Sequence, residues 1–369
     1  MLQTAIDLTF ASAKPEIVIG VMSGTSLDGL DLCAVELTVS KSGLWKYTVL
    51  SSESQAYSTY WFDMLNSAFA KTRSELNNLH VDYGEFLGEQ VRSFCESRKI
   101  KPALIASHGH TVHHRPLEGY TFQIGCGATL SKVAGLPVVC DFRTLDVELG
   151  GQGAPLVPIA DSLLFSDYRQ CLNLGGFANV SYKFGGGRLA YDVTLVNVLL
   201  NRLANKLGKP YDSEGSIAKS GVVNEELLAR LEAIPFYKNA PPKSLGREWF
   251  EEQVWPLFEA SSDASIEELL ATATAHIAQR LAHDLAKGPH GEILVTGGGG
   301  LNTFLIDSLR LNLPSTHKLV LPKGELIEHK EAIAFALLGA LRMRGEVNTL
   351  SSVTGARKDS SGGRYFYVQ

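Results

Sequence analysis

Apolar positions along the chain recur with two periods, and the alternation between them lays out two similar halves. Ile17–Met22 is a short Val/Ile/Met run, and Leu32–Val39 alternates like a strand with one buried face. Trp45–Ser52 reads as a third strand. The period then becomes helical over Tyr60–Ala70 and over Val81–Arg98, where Phe86, Leu87, Val91 and Phe94 share a face. A short strand, Ala103–Ser107, runs into His108-Gly109-His110. Three strands, helix and a further strand ending at a glycine make one unit.

The second half follows the same plan. Cys171–Leu174 reads as a strand, Gly175-Gly176 as a turn and Asn179–Phe184 as the returning strand. A third strand, Arg188–Val193, ends at Asp192. Helical patterns cover Asn197–Leu207, Glu225–Ala233, Trp249–Glu259 and Ile266–Lys287. The strand Glu292–Thr296 meets Gly297-Gly298-Gly299-Gly300, and a helix over Leu301–Leu311 follows. The repetition is of architecture and not of residue identity. It predicts two lobes, 1–135 with 331–369 and 136–330, around a cleft whose glycine turns face each other and which closes by hinge motion. The strongly helical Glu331–Arg344 should pack back on the first lobe.

Composition narrows the class of partner. The 369 residues are 45% hydrophobic and 20% charged, the balance of a globular protein with room for two domains. A formal charge of −5 argues against nucleic acid. No apolar run reaches the roughly 20 residues of a membrane span. Ala11-Ser12-Ala13 has the small residues of a signal-peptidase site, but no basic residue precedes it and Asp7 interrupts the apolar stretch, so Met1–Lys14 is read as an extension. Cys33, Cys95, Cys126, Cys140 and Cys171 are scattered, as buried thiols of a cytoplasmic protein would be.

The candidate chemistry sits in the turns. Gly24-Thr25-Ser26-Leu27-Asp28-Gly29-Leu30-Asp31 joins the first two strands with small residues that let a backbone wrap phosphates, and Asp28 is placed to hold magnesium against them. An ordinary polar hairpin is the alternative for this stretch alone. His108, His110, His113 and His114 invite a zinc reading, but no cysteine or carboxylate stands at ligand spacing, and contacts to a sugar suit them better. Asp141-Phe142-Arg143 leads to Gly150-Gly151-Gln152-Gly153-Ala154-Pro155, where proline after glycines suggests exposed N–H groups at a helix start. Arg143 offers a planar fork to a hydroxyl or carboxylate there, or is a surface arginine in a linker. Gly297–Gly299 fits a nucleotide contact without matching G-x-G-x-x-G, and the chain has no Walker-type loop.

Taken together, M-S-G-T-S-L-D-G-L-D, S-H-G-H-T-V, D-F-R…G-G-Q-G-A-P-L-V-P, N-L-G-G-F-A-N, P-P-K-S-L-G-R-E and E-A-I-A-F-A resemble the anhydro-N-acetylmuramic acid kinase family, from about Ile17 to about Gly345. The resemblance implies an α/β fold of two actin-like, ribonuclease H-like lobes, each with a β-β-β-α-β-α core. It also implies ATP and Mg²⁺, and hydrolytic opening of a 1,6-anhydro sugar with phosphorylation of O6. By motif, Gly24–Asp31, Gly175, Gly176 and Gly297–Gly299 would serve ATP, and Asp192 would be the catalytic base. His108, Arg143, Gln152 and Asn197 would contact sugar; Asp28, and less strongly Glu331, would hold metal, although Glu331 also suits a helix N-terminus. Many family members carry D-T-G-P-G-N where this chain has Asp192-Val193-Thr194-Leu195-Val196-Asn197, so the Asp and Asn remain but the small residues between are bulky. A kinase of another anhydro sugar such as levoglucosan, or an inactive nucleotide-binding homologue, are the competing readings. The implied partners are the sugar and ATP, with no membrane or nucleic acid, and a homodimer is left open.

Overall fold

A computed structural model describes residues 14–368 apart from Thr25, Ser26, Asp28, Pro242 and Ser262. The chain divides into two compact units, one ending at Leu164 and resuming at His329, the other Phe165–Glu328.

The first unit is built on a six-stranded sheet. Its strands are β1 (Glu16–Ser23), β2 (Leu30–Val39), β3 (Trp45–Gln55), β4 (Leu104–Ser107), β7 (Val138–Cys140) and β13 (Arg364–Phe366). The order is β13-β7-β4-β1-β2-β3, with β1, β2 and β3 antiparallel and β1, β4 and β7 parallel. A hairpin of β5 (His110–Arg115) and β6 (Tyr120–Ile124) is inserted after β4. Helix α1 (Thr59–Asn66) precedes α2 (Arg73–Arg98), and α3 (Gly127–Ala134) follows the hairpin. Thr72 and Glu75 form a reciprocal capping box that starts α2 well before the expected Val81. One face of the sheet and α2 share a core that includes Ile19, Leu32, Tyr83, Leu87, Val91 and Ile105.

The second unit repeats that order. Strands β8 (Gln170–Leu174), β9 (Phe177–Phe184), β10 (Gly187–Leu195), β11 (Gly291–Thr296) and β12 (His317–Val320) lie as β10-β9-β8-β11-β12. Again the first three are antiparallel and the last two run parallel to β8. Helices α6 (Asn197–Asn205), α7 (Ile266–Leu285) and α8 (Thr303–Asn312) cover the sheet, after α4 (Thr144–Glu148) and α5 (Pro158–Leu163) of the first unit. The duplicated β-β-β-α-β-α core expected from the strand pattern, which the resemblance made ribonuclease H-like, is thus present in both units.

Two boundaries differ from expectation. Residues 136–164 stay with the first unit, because β7 adds to the first sheet beside β4, where the sequence reading ended that lobe at 135. The return point falls at His329, inside helix α9 (Leu326–Met343), not at 331. As expected, α9 packs on the first unit: a Cβ at Gly20 of β1 would collide with the Ala332 carbonyl, and one at Gly339 would lie 2.6 Å from Ala106 Cβ. The 1–13 part of the expected N-terminal extension lies outside the described residues.

Candidate active site

In the first unit the β1–β2 connection is shorter than the motif that suggested it. Leu30 and Asp31 already belong to β2, pairing with Ser23 and Met22, and Leu30 is fully buried in the core. They are therefore strand residues and not part of a phosphate-wrapping loop. What remains is Gly24–Gly29, where the Leu27 N–H donates to the Gly24 carbonyl and Leu27 itself takes a left-handed φ of 62°. A Cβ at Gly29 would run into the Gln55 carbonyl, so the close approach to β3 requires glycine. Thr25, Ser26 and Asp28 lie outside the described residues.

Beneath that loop the polar side chains are paired. The Tyr57 hydroxyl donates to Ser23 Oγ at 2.7 Å and lies 2.7 Å from the Tyr83 hydroxyl, and Ser23 Oγ is 3.0 Å from His110 Nδ1. Burial pushes His110 down to about 4. His110 thus faces Ser23 Oγ while His108 Nε2 faces Arg143, and the two rings are near enough that His110 adds to the lowering of His108. Arg143 donates from Nε and Nη2 to His108 Nε2, at 3.1 and 2.8 Å, and from Nη1 to the Gly153 carbonyl at 2.6 Å. Burial, with the Arg143 charge beside it, holds His108 well below the ordinary range, so the ring is neutral and Nε2 is its acceptor. Burial also draws Arg143 down to about 10, against the pull of Glu331 and Asp146.

The Gly150–Pro155 turn does not present idle N–H groups. Gly151 N–H donates to the Asp146 carbonyl, Gln152 N–H to the Thr354 carbonyl, and Gly153 N–H to Asp146 Oδ2 at 2.8 Å. Thr354 Oγ1 donates to the other Asp146 oxygen, also at 2.8 Å. The following helix begins at Pro158, not at Pro155. The anion-binding helix start expected here is therefore absent; Asp146, unmarked in the sequence, organises the turn, and the Gln152 side chain is exposed.

Helix α9 supplies the acidic and basic groups. Glu331 sits in its second turn, so it is not the N-terminal acid that the sequence allowed. Burial raises its pKa, Arg143 opposes that, and Asp31 adds to it. Asp31 accepts from Ser54 Oγ at 2.5 Å and lies 3.9 Å from His329 Nδ1. Next to Glu331, Lys330 pairs with buried Asp161 at 2.7 Å. No group of three metal-ligating side chains occurs among the described residues. Glu331, whose proton affinity the Asp31 charge raises, is nonetheless with Asp31 a donor set that a divalent cation relieves.

The second unit brings its glycine turns together. Gly297, with φ 85°, donates its N–H to the Ile327 carbonyl at 2.7 Å, and a Cβ there would lie 2.7 Å from the Leu174 carbonyl. Gly298–Leu301 forms a 3₁₀ turn, and a Cβ on Gly299 would meet Leu174 and Val196. The Gly175 and Gly176 carbonyls accept from Asn197, Val196 and Val198 N–H groups, and the Asn197 amide donates to the Leu174 carbonyl at 3.3 Å. Gly175, Gly176, Asn197, Gly297 and Gly298 therefore form one glycine-lined surface, with Gly299 buried behind it.

Asp192 does not end β10 but lies within it, at a bulge where the register against β9 shifts between Asp192 and Thr194. Bulges re-aim a side chain out of the ladder. Its backbone N–H donates to the Lys243 carbonyl at 2.9 Å, and Oδ2 accepts from the Leu245 N–H at 2.8 Å. Lys243 and Leu245 come from the P-P-K-S-L-G-R-E stretch, for which the sequence suggested no role. Burial pushes the carboxyl up to about 6 against the Leu245 bond. Asp192 does not cap α6, whose N-cap position is Val196 with no side-chain bond. Val193, Thr194, Leu195 and Val196 are fully buried, so the bulky residues of the altered run are absorbed by the core of this unit.

A doubled ribonuclease H-like core, with a glycine connection after the first strand of each copy, defines a two-unit α/β protein with a duplicated core. Within it, the chain belongs to the anhydro-N-acetylmuramic acid kinase family of phosphotransferases, which it matches over residues 16–368. It is 36% identical over 364 residues to the anhydro-N-acetylmuramic acid kinase of Gloeobacter violaceus, covering 93% of this chain and 96% of that one. It is 35% identical over 375 residues to that of Shewanella sp. (strain W3-18-1), covering 95% and 99%. Among solved structures, component A of the (R)-2-hydroxyglutaryl-CoA dehydratase of Acidaminococcus fermentans aligns at 14% identity and TM-score 0.43, over 89% of this chain and 99% of that one. A ROK family glucokinase from Streptomyces griseus aligns at 13% identity and TM-score 0.39, over 88% and 99%.

Proposed function

We propose that the chain opens the 1,6-anhydro bridge of anhydro-N-acetylmuramic acid with water and transfers the γ-phosphoryl group of ATP to O6, as its family membership supports. An anhydro sugar has no 6-hydroxyl to phosphorylate, so water must attack C1 first. Asp192 takes the proton from that water as the new C1–O bond forms, an effect typically worth about 10²–10⁴ in rate. The C1–O6 bond breaks, and O6 displaces ADP at the γ-phosphorus, so no separate acid is needed. The proton on Asp192 returns to solvent. The observation that carries this reading is the Asp192 carboxylate, raised to about 6 and held by one backbone N–H on a bulged strand. A base with a pKa just below neutrality is ionised and still strong enough to accept a proton.

Arg143 and His108 are assigned to sugar hydroxyl or carboxylate groups, with Gln152 beside them and Asn197 on the glycine-lined surface. Gly24–Gly29 and that surface are assigned to ATP. Glu331 and Asp31, with Asp28 of the loop, are the residues that would hold Mg²⁺, which when bound neutralises phosphate charge. The five unbridged cysteines accord with a cytoplasmic setting; no described helix is long and apolar enough to cross a membrane.

The test is mass spectrometry of products formed from ATP and anhydro-N-acetylmuramic acid in ¹⁸O-water. The expected product carries label at C1 and phosphate on O6. Unlabelled C1 would sink the hydrolytic step, and levoglucosan turned over as fast as the muramic sugar would sink the substrate assignment.

A further inference from the structure

Thr194 stands two residues beyond Asp192, on the other side of the bulge, in the run where this chain departs from the common family motif. Its hydroxyl lies in an apolar core at 0% exposure, 3.0 Å from the Tyr237 hydroxyl. Tyr237, in the 3₁₀ turn Pro235–Lys238, is 2.9 Å from Nε2 of His276 on α7. His276 Nδ1 is in turn 2.6 Å from Glu232 Oε1, and Arg280 pairs with the second oxygen of Glu232. The four groups form one line from the partly buried Glu232 to the strand that carries Asp192.

The direction of the line follows from protonation. Burial lowers the His276 pKa, which favours the neutral ring, and the Glu232 carboxylate can only accept, so Nδ1 carries the proton. Nε2 then accepts from Tyr237, and Tyr237 accepts from Thr194. Each buried polar atom is satisfied only in this arrangement.

We propose that Tyr237, backed by His276 and Glu232, is a positioning residue for the Asp192 carboxylate, acting through Thr194. A bulge that moved along β10 to the other side of Asp192 would shift the pairing of Asp192 by one residue and turn it to the opposite face of the sheet. Three bonds oppose that slip: on one side of the bulge the Asp192 N–H on the Lys243 carbonyl and the Leu245 N–H on Asp192 Oδ2, and on the other Thr194 on Tyr237. A valine at 194 would pack as well and fix nothing, since an apolar side chain has no partner to choose.

This proposal rests on Asp192 being the base. Steady-state kinetics of the full chain with ATP and 1,6-anhydro-N-acetylmuramic acid test it, using Thr194→Val, Thr194→Ser, Tyr237→Phe and the Thr194→Val/Tyr237→Phe double variant. The expected result is a fall in kcat of about tenfold for Thr194→Val and for Tyr237→Phe, with both KM values within about twofold of wild type. Thr194→Ser should recover at least half of the wild-type kcat. The double variant should be no slower than the slower single one, because both break the same line. A kcat within twofold of wild type in Tyr237→Phe overturns the proposal, as does Thr194→Ser being as slow as Thr194→Val. Should Thr194→Val fail to fold, Tyr237→Phe decides alone. Asp192→Asn run in parallel separates the two claims. Full turnover there removes the base itself, whereas lost turnover with an unaffected Tyr237→Phe removes only the positioning.

Discussion

The two units share one strand order and differ in how that order is equipped. In the first, β4 leads through His108 into the β5–β6 hairpin, and the candidate groups are charged: Arg143, Glu331, Asp31 and the Lys330–Asp161 pair. In the second, β11 leads straight into a glycine 3₁₀ turn, and a single carboxylate, Asp192, is displayed from a bulged strand. The first β–β connection is six residues long in one unit and a glycine pair in the other. The duplicated scaffold thus surrounds the candidate groups with paired charges on one copy and, among the described residues, leaves the candidate acid Asp192 without a charged partner on the other. Networks stabilise their own geometry, whereas an isolated acid lowers stability in exchange for reactivity.

The sharpest way to break that contrast is Asp192→Asn. Turnover should fall at least about a hundredfold, since the amide cannot accept the water's proton. Stability should move the other way. The folded-state pKa of about 6 lies above the ordinary 3.8, so the carboxylate's unfavourable contribution appears as pH rises from 3.8 and is complete above 6. At pH 7 the asparagine variant should gain up to about 3 kcal/mol, and the gain should vanish below pH 4. Thermal melts at pH 7 and pH 4 would check both signs; a variant less stable than wild type at pH 7 would show that Asp192 is structural.

The first unit should respond to acid through its histidines. His110, at about 4, lies below the ordinary 6.5, so its contribution is present above pH 6.5 and is lost as pH falls toward 4. The loss amounts to at most about 3 kcal/mol, and His108 acts in the same direction. Hydrogen exchange of the β4, β5 and β6 amides should therefore quicken between pH 7 and 5, after correction for intrinsic rates. His110→Gln should flatten that dependence, and an unchanged slope would remove His110 as its source. In the second unit His276 shares this sign and Asp192 opposes it, so the effect should be smaller there.

The strand plan was legible because it is periodic. Ile17–Met22, Leu32–Val39 and Glu292–Thr296 fall on β1, β2 and β11, since buried strands advertise themselves as Val/Ile/Leu runs. Asp192 and the glycine turns were singled out by the family's motifs alone. What escaped was long-range pairing: Asp146 on Gly153 and Thr354, or Leu245 on Asp192, join residues whose spacing carries no local signal. The Gly150–Pro155 turn misled for the same reason. Its residues have the chemistry of an anion site, and only tertiary contacts reveal that its N–H groups are already spent.

Arg143→Lys probes the network at a lower amplitude. An ammonium cannot reproduce the fork that reaches His108 Nε2 and the Gly153 carbonyl at once. The first unit should lose about 1–2 kcal/mol, and KM for the sugar should rise about tenfold with kcat nearly unchanged. A KM at the wild-type value with the same loss of stability would make Arg143 purely structural.

The smallest expected effect on stability is also the most discriminating, because it compares two glycines of one surface. Gly297 is required by the fold: its φ is positive, and a Cβ would press on the Leu174 carbonyl, so Gly297→Ala should cost at least about 1 kcal/mol whatever binds there. Gly176 is not so constrained. Its φ is not in the left-handed region, it is exposed, and a Cβ would meet only the Val198 Cγ2 methyl at 3.0 Å. Alanine there should cost under about 1 kcal/mol, because a methyl group can yield by a few tenths of an ångström. If that turn lies against the nucleotide, the added methyl instead appears in binding, raising KM for ATP several-fold while the melting temperature stays within about 2 °C of wild type. A wild-type KM for ATP in Gly176→Ala would remove the Gly175-Gly176 turn from the nucleotide site and leave Gly297–Gly299 to account for it alone.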